Sequence, residues 1–237
     1  MRRTLTSICL WIAGILFFML ASVILIITVT NFSRQTTYRV IRRLFAVLIR
    51  IMGITLTVEG QENLEPGKTY LIMGNHQSLF DVFVIPVAVP VPFVGVEADY
   101  HFRLPVWGGL IRIWGNIPIQ RHNLEKAIAS ISLAEERLKG GLCIGVLPEG
   151  HRTLTGHVGE FKKGAFFMAL NAGADILPLG VSGLFDYCPK GSLMLAPGRV
   201  HVAIGKPIPY QDFKGMDLDK LRDLLRKTIM VLARDSD

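Results

Sequence analysis

Between Ile8 and Val29 lie 22 residues without a charge, bounded by Arg2 and Arg3 before them and by Arg34 after them. As a helix rising 1.5 Å per residue such a run is ~33 Å long, enough to cross the hydrocarbon core of a bilayer. A cleaved signal peptide has a shorter apolar core of ~7–15 residues and a small-x-small cleavage site behind it. Neither feature is present, so the segment is expected to be retained. Residues 36–52 place Arg39, Arg42, Arg43 and Arg50 within roughly 100° of helix circumference, with Val40, Ile41, Leu44, Leu48, Ile51 and Met52 over the remainder. A basic stripe on an apolar helix suits the headgroup region of an anionic bilayer. Arginines flank the apolar run on both sides, so charge counting leaves a true span and a re-entrant hairpin both open.

Charge then separates this segment from the rest. Seven of the 26 basic residues fall in the first 50 positions, which hold no acidic residue, leaving 19 basic against 19 acidic residues beyond. The formal charge of +7 is therefore confined to the N-terminal segment. A nucleic-acid-binding globule should carry its positive footprint on the folded domain, so that class is excluded. Disorder is excluded by the 50% hydrophobic content. Cys9, Cys143 and Cys188 are odd in number and lack metal-ligand spacing, so they read as reduced apolar thiols.

Past Gly53 short apolar runs alternate with helical stretches. Strands are expected at 54–58, 69–73, 92–96, 116–120, 142–147, 175–181 and 200–204, and helices at 78–88, 106–113, 123–139, 163–172 and 217–233. Asn123 and Asp217 are suitable helix caps, and Gly140-Gly141 and Gly173 are suitable stops. The alternation predicts an α/β domain over residues 54–237, a mixed sheet flanked by helices, behind a membrane anchor over residues 1–53. The anchor comprises the apolar helix 8–29 and the basic amphipathic helix 36–52.

The chemistry gathers where strands end. The strand Tyr70–Met73 runs into Gly74-Asn75-His76-Gln77-Ser78-Leu79-Phe80-Asp81, the position at which α/β sheets place their sites. On one regular helix His76 and Asp81 would sit ~140° apart and could not touch. They pair only if His76 lies on the turn and Asp81 in the first helical turn. Asp81 would then hold one ring nitrogen and free the other as a base. Three further blocks keep this pair company: Gly115–Arg121, Pro148-Glu149-Gly150-His151-Arg152-Thr153, and Phe161-Lys162-Lys163-Gly164. Arginine at a strand end is suited to gripping phosphate or carboxylate through its planar fork.

In this order the blocks resemble the glycerolipid acyltransferase family over roughly residues 55–210. The matching motifs are Asn75-His76-x-Ser78-x-x-Asp81, the block ending at Arg121, Pro148-Glu149-Gly150-x-Arg152, and Ile176-Leu177-Pro178-Leu179. The resemblance implies that His76 and Asp81 are the catalytic pair, with His76 the general base toward an acceptor hydroxyl. It implies that Arg121, Glu149, Gly150 and Arg152 bind the acceptor. It further implies transfer of a fatty acyl chain from an acyl-thioester, acyl-CoA or acyl-carrier protein, to lysophosphatidic acid, giving phosphatidic acid. No cofactor and no metal are expected, and because a thioester is already activated a covalent acyl-enzyme is unnecessary. Partners would be a membrane lipid acceptor and an anionic bilayer surface, at the cell membrane with the catalytic domain on the cytoplasmic side.

Some positions depart from the family pattern. Glu97 stands where many members carry a lysine, Gln120 replaces a common aspartate, and His151 and Thr153 replace the usual threonine and serine. Glu97 is therefore a candidate for acceptor selectivity, repelling a phosphate or recognising an amine. That keeps acylation of a different, amine-bearing lysolipid as an alternative. Outside the class stand a membrane-anchored thioester hydrolase and a non-catalytic tether. The string Gly180-Val181-Ser182-Gly183-Leu184 lacks the last glycine of a nucleophile elbow.

Overall fold

The computed structural model describes residues 2–120 and 122–235. Two helices come first, α1 (Arg2–Asn31) and α2 (Arg34–Ile51). Ser33 between them caps α2 by accepting the Thr36 N–H. The domain proper runs β1 (Ile54–Glu59), β2 (Tyr70–Gly74), α3 (Asp81–Ala88), β3 (Phe93–Ala98), α4 (Trp107–Trp114), β4 (Ile117–Ile119), α5 (Leu124–Lys139) and β5 (Cys143–Val146). It continues with α6 (Gly164–Ala172), β6 (Asp175–Ser182), α7 (Leu184–Tyr187), β7 (Gly198–Ile204), α8 (Tyr210–Phe213) and α9 (Leu218–Leu232). The strands form one mixed seven-stranded sheet in the order β1-β7-β6-β2-β5-β3-β4. The run β6-β2-β5-β3-β4 is parallel throughout, whereas β7 returns antiparallel to β6 and β1 lies parallel to β7.

The pleat divides the core in two. Tyr70 and Ile72 of β2, with Leu177, Leu179 and Val181 of β6, face the layer that contains α2 and α3. Leu71 and Met73, with Ile176, face α6 and α9 on the other side. The central strands β2 and β6 are buried on both faces, which is why the sequence shows short continuous apolar runs there rather than alternation. The expected strands and long helices are all present. Helix α3, however, starts at Asp81 rather than at residue 78, so the six residues Asn75 to Phe80 form the turn.

The N-terminal helices belong to this core. Tyr38, Ile41, Phe45, Leu48 and Ile49 of α2 are buried in the same cluster as β2 and α3, while Arg39, Arg43 and Arg50 are exposed. The apolar side of α2 thus packs on protein, and the edge that reaches solvent carries these arginines together with Val47. Helix α1 is divided lengthwise. Ser7, Gly14, Ala21, Ser22 and Leu25 are turned inward, and a Cβ at Gly14 would collide with Met52. The opposite side exposes Leu5, Ile12, Leu16, Leu20 and Ile27, with Leu16 at 67%. The start of α1 is tied to the loop before β7 by the Trp11 Nε1 bond to the Leu193 carbonyl (2.8 Å) and by Ser7, whose Oγ accepts the Leu195 N–H (2.9 Å).

Candidate active site

At the carboxyl end of β2 the chain turns before α3, and the turn is fastened residue by residue. Asn75 is buried and bridges to β6, its Nδ2 donating to the Val181 carbonyl (2.9 Å) and its Oδ1 accepting the Val181 N–H (2.8 Å). Gln77 accepts the N–H groups of Leu184 and Phe185 at the start of α7. Ser78 Oγ donates to the Cys188 carbonyl (2.7 Å). These three side chains face structure rather than solvent. Between them His76 keeps its ring one-fifth exposed, and Leu79 is the exposed residue of the same turn.

Asp81, wholly buried, opens α3 and reaches back over this turn. Its Oδ2 accepts the N–H groups of Gln77 and Ser78 (both 2.9 Å) and lies 2.6 Å from His76 Nδ1. An ionised carboxylate only accepts, so Nδ1 carries the proton and Nε2 keeps its lone pair. The condition that the sequence sets for pairing, His76 on the turn and Asp81 in the first helical turn, is the one the fold meets. Asp81 Oδ1 is buried without a hydrogen-bond partner among the described residues.

A second loop clasps the first. Strand β5 lies beside β2, so the loop after it, Pro148 to Thr153, emerges next to His76. The Thr153 N–H donates to the His76 carbonyl (2.8 Å). Glu149 is buried, and its two oxygens accept the His76 N–H (2.7 Å) and the Gly159 N–H (3.1 Å). Burial pushes its carboxyl above the ordinary range, opposed in part by those two N–H groups. Both oxygens of Glu149 are thus engaged by backbone, which makes it a brace for the histidine. A Cβ at Gly159 would press on Glu149, so that close approach requires the glycine. Gly150 takes a positive φ of 76° at the apex of the loop. Arg152 is half-buried, near enough to Cys188 to pull that thiol downward against the larger upward push of burial. Arg121 lies outside the described residues.

Glu97 stands elsewhere. Its carboxylate is tied to Asn116 Nδ2 (2.5 Å), His101 Nδ1 (3.0 Å) and Trp107 Nε1 (3.3 Å) in the wall of a mainly apolar cavity. The cavity has a volume of about 160 Å³ and reaches from Asp81 and Gly74 to Glu97 and Asn116. His76, Asp81, Glu149 and Arg152 therefore converge around one turn, with Glu97 along the neighbouring cavity. The bracing roles of Asn75, Gln77, Ser78 and Thr153 are not readable from the sequence, because their partners lie up to 110 residues away.

A buried carboxylate, a histidine with one free nitrogen and an adjoining apolar cavity can together draw a proton from a hydroxyl beside a lipid chain. Residues 55–182 match the family model described as Acyltransferase. The chain belongs to the acyltransferase family. Among curated acyltransferases it is 30% identical over 177 residues to the chloroplastic 1-acyl-sn-glycerol-3-phosphate acyltransferase of Arabidopsis thaliana, covering 74% of this chain and 49% of that protein. It is 25% identical over 196 residues to the 1-acyl-sn-glycerol-3-phosphate acyltransferase of Borreliella burgdorferi, covering 83% of this chain and 78% of that protein. The chain spans about half the length of the first of these relatives. Among solved structures, the 1-acyl-sn-glycerophosphate acyltransferase of Thermotoga maritima shares the fold, with a TM-score of 0.84 at 23% identity over 98% of this chain and 94% of that one.

Proposed function

We propose that this acyltransferase moves a fatty acyl chain from an acyl-thioester to the free hydroxyl of lysophosphatidic acid, giving phosphatidic acid. The observation that carries the reading is the 2.6 Å contact of His76 Nδ1 with the buried Asp81 carboxylate, which leaves Nε2 as the base. In this reading Nε2 takes the hydroxyl proton as the oxygen attacks the thioester carbonyl. The C–O bond forms, the C–S bond breaks, and the proton passes from His76 to the departing thiolate. Asp81 stabilises the imidazolium while it exists. Glu149 keeps the ring aimed through its backbone, and Gly150 shapes the loop that presents Arg152. Arg152, with Arg121, supplies positive charge for the acceptor phosphate. Acyl-CoA or acyl-carrier protein serves as donor, with no cofactor and no metal required.

The anchor fits this task. Helix α1 packs along one side on the protein and exposes aliphatic side chains on the other, which suits a helix lying in one leaflet beside α2 rather than standing free across the bilayer. Exposed Arg39, Arg43 and Arg50 would meet the anionic surface of the cell membrane, with the domain on the cytoplasmic side. The test is an acceptor screen on vesicles with labelled acyl-thioester, products identified by mass spectrometry. Phosphatidic acid should form from lysophosphatidic acid with the wild type and not with His76→Ala. Release of free fatty acid without an acceptor would replace the reading with hydrolysis, and acylation confined to amine-bearing lysolipids would replace the acceptor. Undiminished function in His76→Ala would leave only a tether.

A further inference from the structure

Strand β3 presents Phe93, Gly95 and Glu97 to one face of the sheet, because alternate residues share a face. That face looks into the cavity beginning at Asp81. Gly74, Gly95 and Gly145, on three neighbouring strands, line it, Gly95 and Gly145 being direct partners in register, while the Phe93 ring lies over Gly145 and Leu179 lies against Gly74. Strand β3 lies two places from β2 in the sheet, with β5 between them. At ~4.8 Å per strand, Glu97 is about 10 Å across the sheet from the end of β2. An acyl chain that leaves the His76–Asp81 pair and enters this cavity past Asp81 would meet a carboxylate several bonds farther on.

A carboxylate is an expensive wall for a hydrocarbon chain. Glu97 is 11% exposed and fixed by three donors among the described residues, Asn116, His101 and Trp107. About four acceptor sites are available on an ionised carboxylate, so capacity for one more donor remains. Asn116 cannot take that part readily, since its own oxygen accepts the Gly95 N–H (3.0 Å). A plain methylene chain would strip water from Glu97 and return nothing. A hydroxyl at that depth would donate a charge-assisted bond.

We infer that Glu97 determines donor specificity by receiving a hydroxyl carried on the acyl chain, so that the preferred donor is a hydroxyacyl thioester with its hydroxyl well removed from the carbonyl. The inference rests on the acyl-transfer reading of the His76 site and names the donor class for it. Glu97 also ties the turn of helix over Asp99–Arg103, α4 and the approach to β4 to the sheet, so its test needs a readout that a structural tie alone would not move.

That readout is the dependence on hydroxyl position. The full chain in vesicles is given stearoyl thioesters carrying one hydroxyl at successive positions, with lysophosphatidic acid as acceptor. Wild-type kcat/KM should peak for a mid-chain hydroxyl, about ten- to a hundred-fold above unsubstituted stearoyl, with no gain for a hydroxyl beside the carbonyl. Glu97→Gln should flatten the peak to a few-fold, and Glu97→Leu should reverse it in favour of the plain chain. In parallel, binding of the corresponding free fatty acids is read from the fluorescence of Trp107 and Trp114, which line the cavity. A flat positional profile in binding overturns the inference, as does a Glu97→Gln variant that slows every donor equally. A binding peak that Glu97→Gln removes, without transfer to any acceptor, upholds the inference and overturns the acyl-transfer reading instead.

Discussion

Replacing Asp81 by Asn tests the pairing on which the proposed chemistry depends. The amide is nearly isosteric, and its oxygen can take the place of Oδ2, accepting Gln77 N–H, Ser78 N–H and His76 Nδ1–H. Its NH₂ then occupies the position of Oδ1, which already lacks a partner among the described residues. The fold should therefore survive, since three bonds are kept and the burial of a charge is relieved. Catalysis should not. With the carboxylate gone, the imidazolium that forms as the acceptor loses its proton faces a neutral amide. Two unit charges about 4 Å apart at an effective dielectric of ~20 interact by roughly 4 kcal/mol, or about a thousand-fold in rate. The assay is thiol release from acyl-CoA on lysophosphatidate-containing vesicles, read as kcat/KM beside a thermal melt of each protein. A variant that melts normally and keeps its rate within ten-fold of wild type would refute the role given to Asp81.

Glu149→Gln must set an NH₂ against one of the two backbone N–H groups that the carboxylate accepts, at a cost of about 1–3 kcal/mol and roughly 2–12 °C in melting temperature. Burial raises the Glu149 carboxyl, so its contribution to stability is fullest below the ordinary carboxylate range and declines as pH rises through the raised value; the melting gap between the two proteins should narrow over that window. Arg152→Ala removes a charge-assisted bond to acceptor phosphate and should raise the acceptor KM about ten- to a hundred-fold, leaving the donor KM unchanged in initial-rate measurements. Changing exposed Arg39, Arg43 and Arg50 together to Gln should weaken vesicle sedimentation by roughly 3 kcal/mol on anionic lipid and scarcely at all on neutral lipid. Deleting residues 1–52 should yield aggregated rather than soluble protein by gel filtration, because Tyr38, Phe45 and Leu48 belong to the core under β2 and α3.

The sequence by itself determines the parts whose causes are local. Runs such as Tyr70–Met73 and Ile176–Leu179 read as strands and are strands buried on both faces, and Asn123 and Asp217 do cap α5 and α9 through their side chains. The five-residue gap from His76 to Asp81 already implies that a usable pair needs a turn ending in a helix start. What the sequence leaves open depends on neighbours brought from far along the chain. Hydrophobic periodicity in α2 specifies an apolar face and not its partner, and packing on the sheet decided that protein rather than lipid covers it. Glu149 reads as a binding carboxylate until the pairing of β5 with β2 sets it under the backbone of His76. Glu97 reads as a candidate for acceptor selectivity, and only the strand order sets it two places along the sheet from β2, in the wall of the cavity that begins at Asp81. Periodicity and spacing are local quantities, whereas strand order and the partners of a buried charge are fixed only when the whole core closes.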